Sequence, residues 1–246
     1  MVIFIPEEHK YVLQSDPNIS FTSVSKVLES VKQPFDTDTI AASTAKKRGV
    51  TKEEIIAEWT KIKEDALRKG TAYHEQYEAK LLENKGVHPS TWIDGKKYAH
   101  DLLKLKPGIH PELVLYNLKY GITGTADIVE IFEDKTFSLR DHKSNKKIEF
   151  QSFRKFDPIY KDRRPVMMRP PLQHLEDCNG IVYSLQLSLY AYFLEQFGYK
   201  CKELILHHVI FDENNEPCNV IDYPLEYLKK ECHTLLNHFK NGRSKN

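Results

Sequence analysis

The sequence has little of what would staple a chain covalently or hold it in a bilayer. Its four cysteines, Cys178, Cys201, Cys218 and Cys232, are widely spaced and include no C-x-x-C pair. That argues against zinc and for reduced thiols. No apolar run is long enough to span a membrane, and the opening Met1-Val-Ile-Phe-Ile-Pro6 lacks the basic start and long apolar core of a signal peptide. A cytoplasmic location with no membrane partner is therefore expected. Internal repeats and low-complexity segments are also missing. Net charge is nearly absent: 36 Lys and Arg stand against 35 Asp and Glu, for a formal +1. What remains is a 246-residue chain, 40% hydrophobic, able to bury one full core with a small helical lobe beside it.

The small net charge hides an uneven distribution. Between Arg140 and Pro170 there are ten basic residues, including Lys146, Lys147, Arg163, Arg164 and Arg169, against four acidic ones. That segment is +6, which leaves −5 elsewhere. A charge run is often only a solvated face, and a track for phosphates is the other reading.

Overlapping the start of that segment lies Gly121 to Lys147, the stretch on which the chain is organised. Two β-rich runs, 123–132 and 136–142, flank the polar triplet Glu133-Asp134-Lys135, which suits a short hairpin connection. With Phe132 opposite Thr136, Ile131 faces Phe137, Val129 faces Leu139, and Asp127 falls opposite Asp141. Alternation puts these apolar residues on one face with Asp127, Asp141 and Lys143. Carboxylates paired in this way sit about 4.5–5.5 Å apart at Cβ and repel. A hard divalent cation, Mg²⁺ or Mn²⁺, offsets that repulsion and activates water. Lys143, two residues beyond Asp141, then suits positioning of water or stabilisation of charge on a phosphate.

Two further clusters accompany the hairpin. Gly70-Thr71-Ala72-Tyr73-His74 leads into a helix after a glycine break, with His74 and Glu78 one turn apart. Downstream, Tyr183 to Tyr190 opens another helix with Gln186 and Tyr190 at the same spacing. In order, G-T-x-x-H-x-x-x-E, G-x-A-D, D-x-K-S and Q-x-x-x-Y resemble the RecB-like branch of the PD-(D/E)XK nuclease superfamily, over roughly residues 20–239. Within it the chain looks most like the mitochondrial genome maintenance exonuclease and phage exonucleases, and is similar to the CRISPR-associated RecB-like nucleases.

The resemblance implies an α/β, restriction-endonuclease-like core: a mixed central β-sheet flanked by helices, with an N-terminal helical lobe. It implies a metal-dependent DNA nuclease, an exonuclease acting on single-stranded ends or flaps in replication, recombination or repair, whose product carries a 5′-phosphate. A double-strand end-resecting exonuclease and a non-cleaving nucleic-acid-binding protein are the alternatives. Asp127, Asp141 and His74 would hold Mg²⁺ or Mn²⁺, with the carbonyl of His142 as a fourth ligand. Gln186 and Tyr190 would orient DNA or support Lys143. Ser144, Lys146, Lys147, Arg163, Arg164 and Arg169 would contact DNA. Some relatives use one early cysteine and a tight late trio for an iron–sulfur cluster; this chain has neither, so no cluster and no zinc is expected. Partners would be DNA with free or single-stranded ends and recombination or replication proteins, in the cytoplasm, bacterial if phage-encoded.

The remaining elements are read from local pattern. Residues 1–69 form the helical lobe and 70–246 the nuclease core. Thr22 to Lys32 spaces Val24, Val27, Leu28 and Val31 as an amphipathic helix behind a Thr22/Ser23 cap. Its T-S-V-S start resembles the opening of phage relatives, where the hydroxyls hold a DNA phosphate; simple capping explains the same residues. A second helix runs from Asp36 or Thr37 to Lys47, and Thr51-Lys-Glu-Glu54 is a capping box opening a third, with Ile55, Ile56, Trp59 and Ile62 buried. A short helix is expected around Trp92 to Leu105. Glu112 reads as a surface residue at the start of a strand reaching Leu118, with an extra acidic ligand as the alternative; the role of Glu78 is open. The basic insertion, 146–171, is too rich in proline from Pro158 to Pro171 for regular structure and reads as a loop beside the site. Helix Tyr183 to Phe197, strands Leu204 to Phe211 and Cys218 to Asp222, and helix Leu225 to Lys240 complete the core. His207 and His208 point to opposite faces and read as packing or edge residues rather than ligands.

Overall fold

In this computed structural model, which describes residues 2–8 and 10–243, the chain opens with strands rather than helices. β1 (Val2–Ile5), β2 (Lys10–Leu13) and β3 (Asp16–Ser23) form an antiparallel meander with Val2 and Val12 buried. Ser23 ends β3 and caps α1 (Val24–Glu29), its hydroxyl accepting from Lys26 N at 3.2 Å. That bond satisfies one of the donors a helix start leaves unpaired. Val24, Val27 and Leu28 then turn into the main core.

Asp36 caps α2 (Thr37–Arg48), which Gly49 closes at φ 69°. The capping box holds as expected: Glu54 N donates to Thr51 Oγ1 at 3.2 Å and Thr51 N donates to Glu54 Oε2 at 2.8 Å. It opens α3 (Lys52–Leu82), 31 residues without interruption. Here the expected glycine break is not found. Gly70 does not break the helix, because one internal glycine costs only about 1 kcal/mol against alanine and helical residues flank it on both sides. A boundary between residues 69 and 70 thus falls inside α3, and residues 1–69 supply strands as well as helices. Ile55 packs against Ala41 and Ala45, whereas Ile62 is exposed.

A further correction follows. In place of a helix over Trp92 to Leu105 stand β4 (Thr91–Ile93) and β5 (Lys96–Tyr98), followed by one 3-10 turn at Leu102–Lys104. Asp94 and Gly95 join the two strands, both at positive φ (48° and 71°), the backbone of a tight two-residue hairpin.

The centre of the molecule is the meander β6 (Gly108–Asn117), β7 (Ile122–Ile131) and β8 (Thr136–Lys143). The β7–β8 register is the expected one: Ile131 faces Phe137, Val129 faces Leu139, and Phe132 N donates to Thr136 O at 2.9 Å. The basic insertion is not a structureless loop. It holds an antiparallel hairpin, β9 (Arg154–Asp157) with β10 (Asp162–Pro165), whose pairing places Pro165 on the last rung, where a missing N–H costs least. Beyond it, Met168 and Leu172 are fully buried and Arg169 N donates to Val31 O at 2.7 Å.

α4 (Asn179–Glu195), β11 (Lys200–Phe211), β12 (Pro217–Pro224) and α5 (Lys229–Arg243) complete the chain. The sheet runs β12-β11-β8-β7-β3-β2-β1-β5-β4, with β6 on the other edge of β7. β11 is parallel to β8 and β12 antiparallel to β11, so the sheet is mixed. α4 buries Leu187, Tyr190 and Phe193 in one cluster with Val129, Phe137 and Leu139, and α5 adds Cys232, Leu235 and Leu236. On the other side Tyr73 and Tyr77 of α3 lie against the His142 ring. The architecture is mixed α/β, a large mixed central sheet flanked by helices. Among the described residues no helix is long and apolar enough to cross a membrane.

Candidate metal centre

The site arises where three strands stop pairing on one row. Leu113 pairs with Ala126 and Pro111 with Ile128, so Glu112 and Asp127 stand opposite each other without forming a rung. The β7–β8 ladder ends at Ile128 and Arg140, one step short of Asp127 and Asp141. Glu112, Asp127 and Asp141 therefore lie in register across β6, β7 and β8. Glu112 adopts φ 50°, a left-handed conformation uncommon for a residue with a side chain, at the point where the ladder opens. Asp127 Oδ2 accepts from His142 N at 2.7 Å, replacing the lost backbone pairing with a side-chain bond.

α3 delivers His74 over this row, which an interruption at Gly70 would not have secured. Its Nε2 is 3.6 Å from Asp127 Oδ2 and its Nδ1 3.4 Å from Glu112 Oε1. One ligand atom from each of His74, Glu112 and Asp127 lies within 4.8 Å of the others. β5 supplies Lys97, whose buried ammonium is 3.5 Å from Glu112 Oε2. Lys143 pairs directly with Asp141 Oδ2 and sits over the Tyr183 ring, 5.0 Å from its centroid.

From the α4 side, Gln186 Nε2 lies 3.5 Å from Asp141 Oδ1 and 3.3 Å from the Tyr190 hydroxyl. This contact explains the glycine of G-x-A-D. A Cβ on Gly124 would stand 2.7 Å from the Tyr190 ring, so glycine lets that ring lie on β7, where its hydroxyl meets Gln186.

The electrostatics are those of like charges held close in a partly dry place. Burial, then repulsion from Asp141, raises the Asp127 pKa to about 7 against the opposing pull of Lys143 and His74. Burial disfavours the charged imidazole of His74, but the bond to Glu112 and the charges of Asp127 and Glu112 outweigh it and raise that pKa to about 9. Burial also opposes the charge on Lys143, and Asp141 and Asp127 overcome it. The donor set fits a hard divalent cation: carboxylates and an imidazole converge, and the carboxylate repulsion is of the kind such an ion relieves.

The structure thus brings together His74, Asp127, Asp141, Lys143, Gln186 and Tyr190. Glu112 is corrected from a surface residue to a half-buried member of the site; it lies mid-strand, because β6 begins at Gly108 and not at Glu112. Aligning β6 on β7 by alternation, as for β8, would have found it. Lys97 carried no signal beyond the Asp94-Gly95 turn that aims β5. Glu78 lines the same cleft of about 460 Å³ with His74, Lys97 and Ser144, and burial followed by the Glu112 charge raises its pKa. The ring of His142 packs among Tyr77, His207 and His74, with centroids 4.4, 5.1 and 5.6 Å away, and burial followed by His207 lowers its pKa to about 3. His207 itself bonds Asp222 at 2.5 Å, and His208 bonds the Asn145 carbonyl at 2.6 Å. Lys146, Lys147, Arg163, Arg164 and Arg169 are exposed and outside this cluster.

No family model and no curated protein matches this chain. Among solved structures it is similar to a putative exonuclease from Eubacterium rectale, at 10% identity and a TM-score of 0.38, over 90% of this chain and 82% of that one.

Proposed function

We propose that this chain is a metal-dependent deoxyribonuclease that hydrolyses phosphodiester bonds at the row formed by Glu112, Asp127 and Asp141. The observation that carries the proposal is the juxtaposition of this carboxylate row with Lys143, which is paired to Asp141 at the end of β8. Asp127, Asp141 and His74 hold Mg²⁺ or Mn²⁺, joined by Glu112 and the His142 carbonyl. When bound, the ion supplies Lewis-acid polarisation of a phosphoryl oxygen and favours ionisation of water.

The chain's own groups do the rest. Asp141 keeps Lys143 charged, so an ammonium is available where negative charge develops on the phosphate in the transition state. Gln186 holds Asp141 from the α4 side, and Tyr190 holds Gln186. Cations on the adjoining segment take the phosphates of the strand. The preferred substrate is single-stranded DNA with a free end.

The test pairs linear and circular single-stranded DNA with purified protein, with and without Mn²⁺. Cleavage is expected only with metal, and faster on the linear strand. Equal rates on the two forms would make the enzyme an endonuclease. A wild-type melting curve indifferent to Mg²⁺ and Mn²⁺, or cleavage retained by Asp127→Asn, would overturn the metal centre.

A further inference from the structure

Away from the carboxylates lies a larger cleft, about 1060 Å³, between the α1–α2 junction and the β9–β10 hairpin. Its walls are unusual for a water-facing surface. Phe35, Phe153 and Phe156 are 65%, 71% and 58% exposed. A cluster of exposed aromatic rings on a soluble surface marks a binding face more often than a fold requirement.

The hairpin that carries Phe156, with Phe153 just before its first strand, is also basic. Residues 154–165 hold Arg154, Lys155, Lys161, Arg163 and Arg164 against Asp157 and Asp162, a net +3. Among the described residues none of these five cations is in an ion pair. Arg164 lies flat over the Tyr160 ring at 3.4 Å.

Acidic groups also border the cleft, but each already has a task. Glu29 pairs with Lys32, Asp36 caps α2, Asp157 accepts from Ile159 N inside the hairpin turn, and Asp177 accepts from Gln33 N at 2.6 Å. The last bond, with Arg169 N on Val31 O, ties the end of α1 and the residues after it to the segment between the hairpin and α4. Exposed rings and unpaired cations are the features by which a protein holds an unpaired strand: rings take the bases, cations the phosphates.

We infer that this cleft is a stacking site for the bases of single-stranded DNA, with Phe153 and Phe156 as its platforms and Lys155 and Arg164 on the backbone. It deepens the nuclease reading by naming where the strand is held, and it is reached from Lys143 along the chain through residues 144–153. It can be tested without the metal centre.

The experiment measures fluorescence anisotropy of a labelled oligothymidylate with the full chain in EDTA, beside an abasic oligomer of equal length and a duplex. The wild-type protein should bind oligothymidylate about tenfold or more tighter than the abasic strand, since each base stacked on a ring adds to affinity. The double variant Phe153→Leu, Phe156→Leu keeps apolar bulk but no flat ring, and should lose most of that preference while binding the abasic strand as before. Phe153→Tyr with Phe156→Tyr should retain it. Equal wild-type affinity for thymidylate and abasic strands, or full affinity in the leucine variant, would overturn the stacking site and leave the cleft to a protein partner. Because no metal is present, these outcomes are independent of whether Asp127→Asn abolishes cleavage.

Discussion

The carboxylate row and the β9–β10 cleft carry charge in opposite ways. In the row every charged group faces an opposite one: Glu112 meets His74 and Lys97, Asp127 meets His74, and Asp141 meets Lys143, with the longest of these contacts 3.6 Å. On the hairpin the cations have no acidic partner among the described residues, and the rings beside them are exposed. Burial explains the contrast. Removing a charge from water is tolerable only when another charge compensates, so the buried site must be organised in advance, whereas exposed cations keep their hydration until a ligand displaces it. In the function proposed above, the row does the chemistry and the hairpin holds the polyanion.

The sharpest way to separate the two regions is to remove one cation from each. Lys143→Ala should lower single-turnover cleavage by on the order of a hundred- to a thousandfold while affinity for a single-stranded oligonucleotide stays within a few fold, because its charge is needed in the transition state. If binding and cleavage fall equally, Lys143 belongs with the hairpin cations and the contrast collapses.

Packing under the row offers a second test. Gly124→Ala forces a Cβ into the Tyr190 ring and should destabilise the protein by about 1–3 kcal/mol in denaturant titration. The double variant Gly124→Ala, Tyr190→Leu should cost less than the sum of the single changes, since the clash is then relieved. Strict additivity would show that Tyr190 is not the residue that requires glycine.

A pH titration probes the row's preorganisation. Asp127, raised to about 7, holds its proton in the folded protein above the unfolded carboxylate range, so its contribution to stability is lost as pH climbs toward and through 7. His74, raised to about 9, contributes stability that is complete below its ordinary value near 6.5 and lost as pH rises through 9. Melting temperature of the metal-free protein should therefore decline between pH 7 and pH 9, above the range in which the lowered His142 and His110 make stability rise with pH. Below pH 7, Asp127→Asn should make stability rise more steeply with pH than in the wild type, and Mg²⁺ or Mn²⁺ should offset the decline increasingly at higher pH, because binding displaces the same protons. A wild-type profile that rises over this window would contradict the assignment.

The smallest effect belongs to the exposed region. Replacing Lys155, Arg163 and Arg164 by alanine should flatten the slope of log affinity against log salt by about two units on single strands, if all three touch phosphates. The melting temperature gain from metal should not change. A loss of metal stabilisation in this variant would mean that the two regions are not separate.

Local chemistry decided the parts of this protein that neighbours along the chain can encode. Glu133-Asp134-Lys135 sets a turn, the turn sets the register of Ile131 on Phe137, and that register aligns Asp127 with Asp141. The caps at Ser23, Asp36 and Thr51 are equally local, since each side chain bonds a backbone N–H three residues away. Asp94-Gly95 was legible too, as a hairpin signal that helical spacing obscured. What the amino-acid order did not reveal was which distant elements meet. Gly70 stays helical because α3 is held on both sides of it, Glu112 becomes part of the site because β6 registers against β7, and Lys97 reaches Glu112 only because β5 joins the sheet through β1. Those juxtapositions cross tens of residues, where no local preference acts. They are settled by which strands share hydrogen bonds and by which buried charges find a partner when the sheet closes.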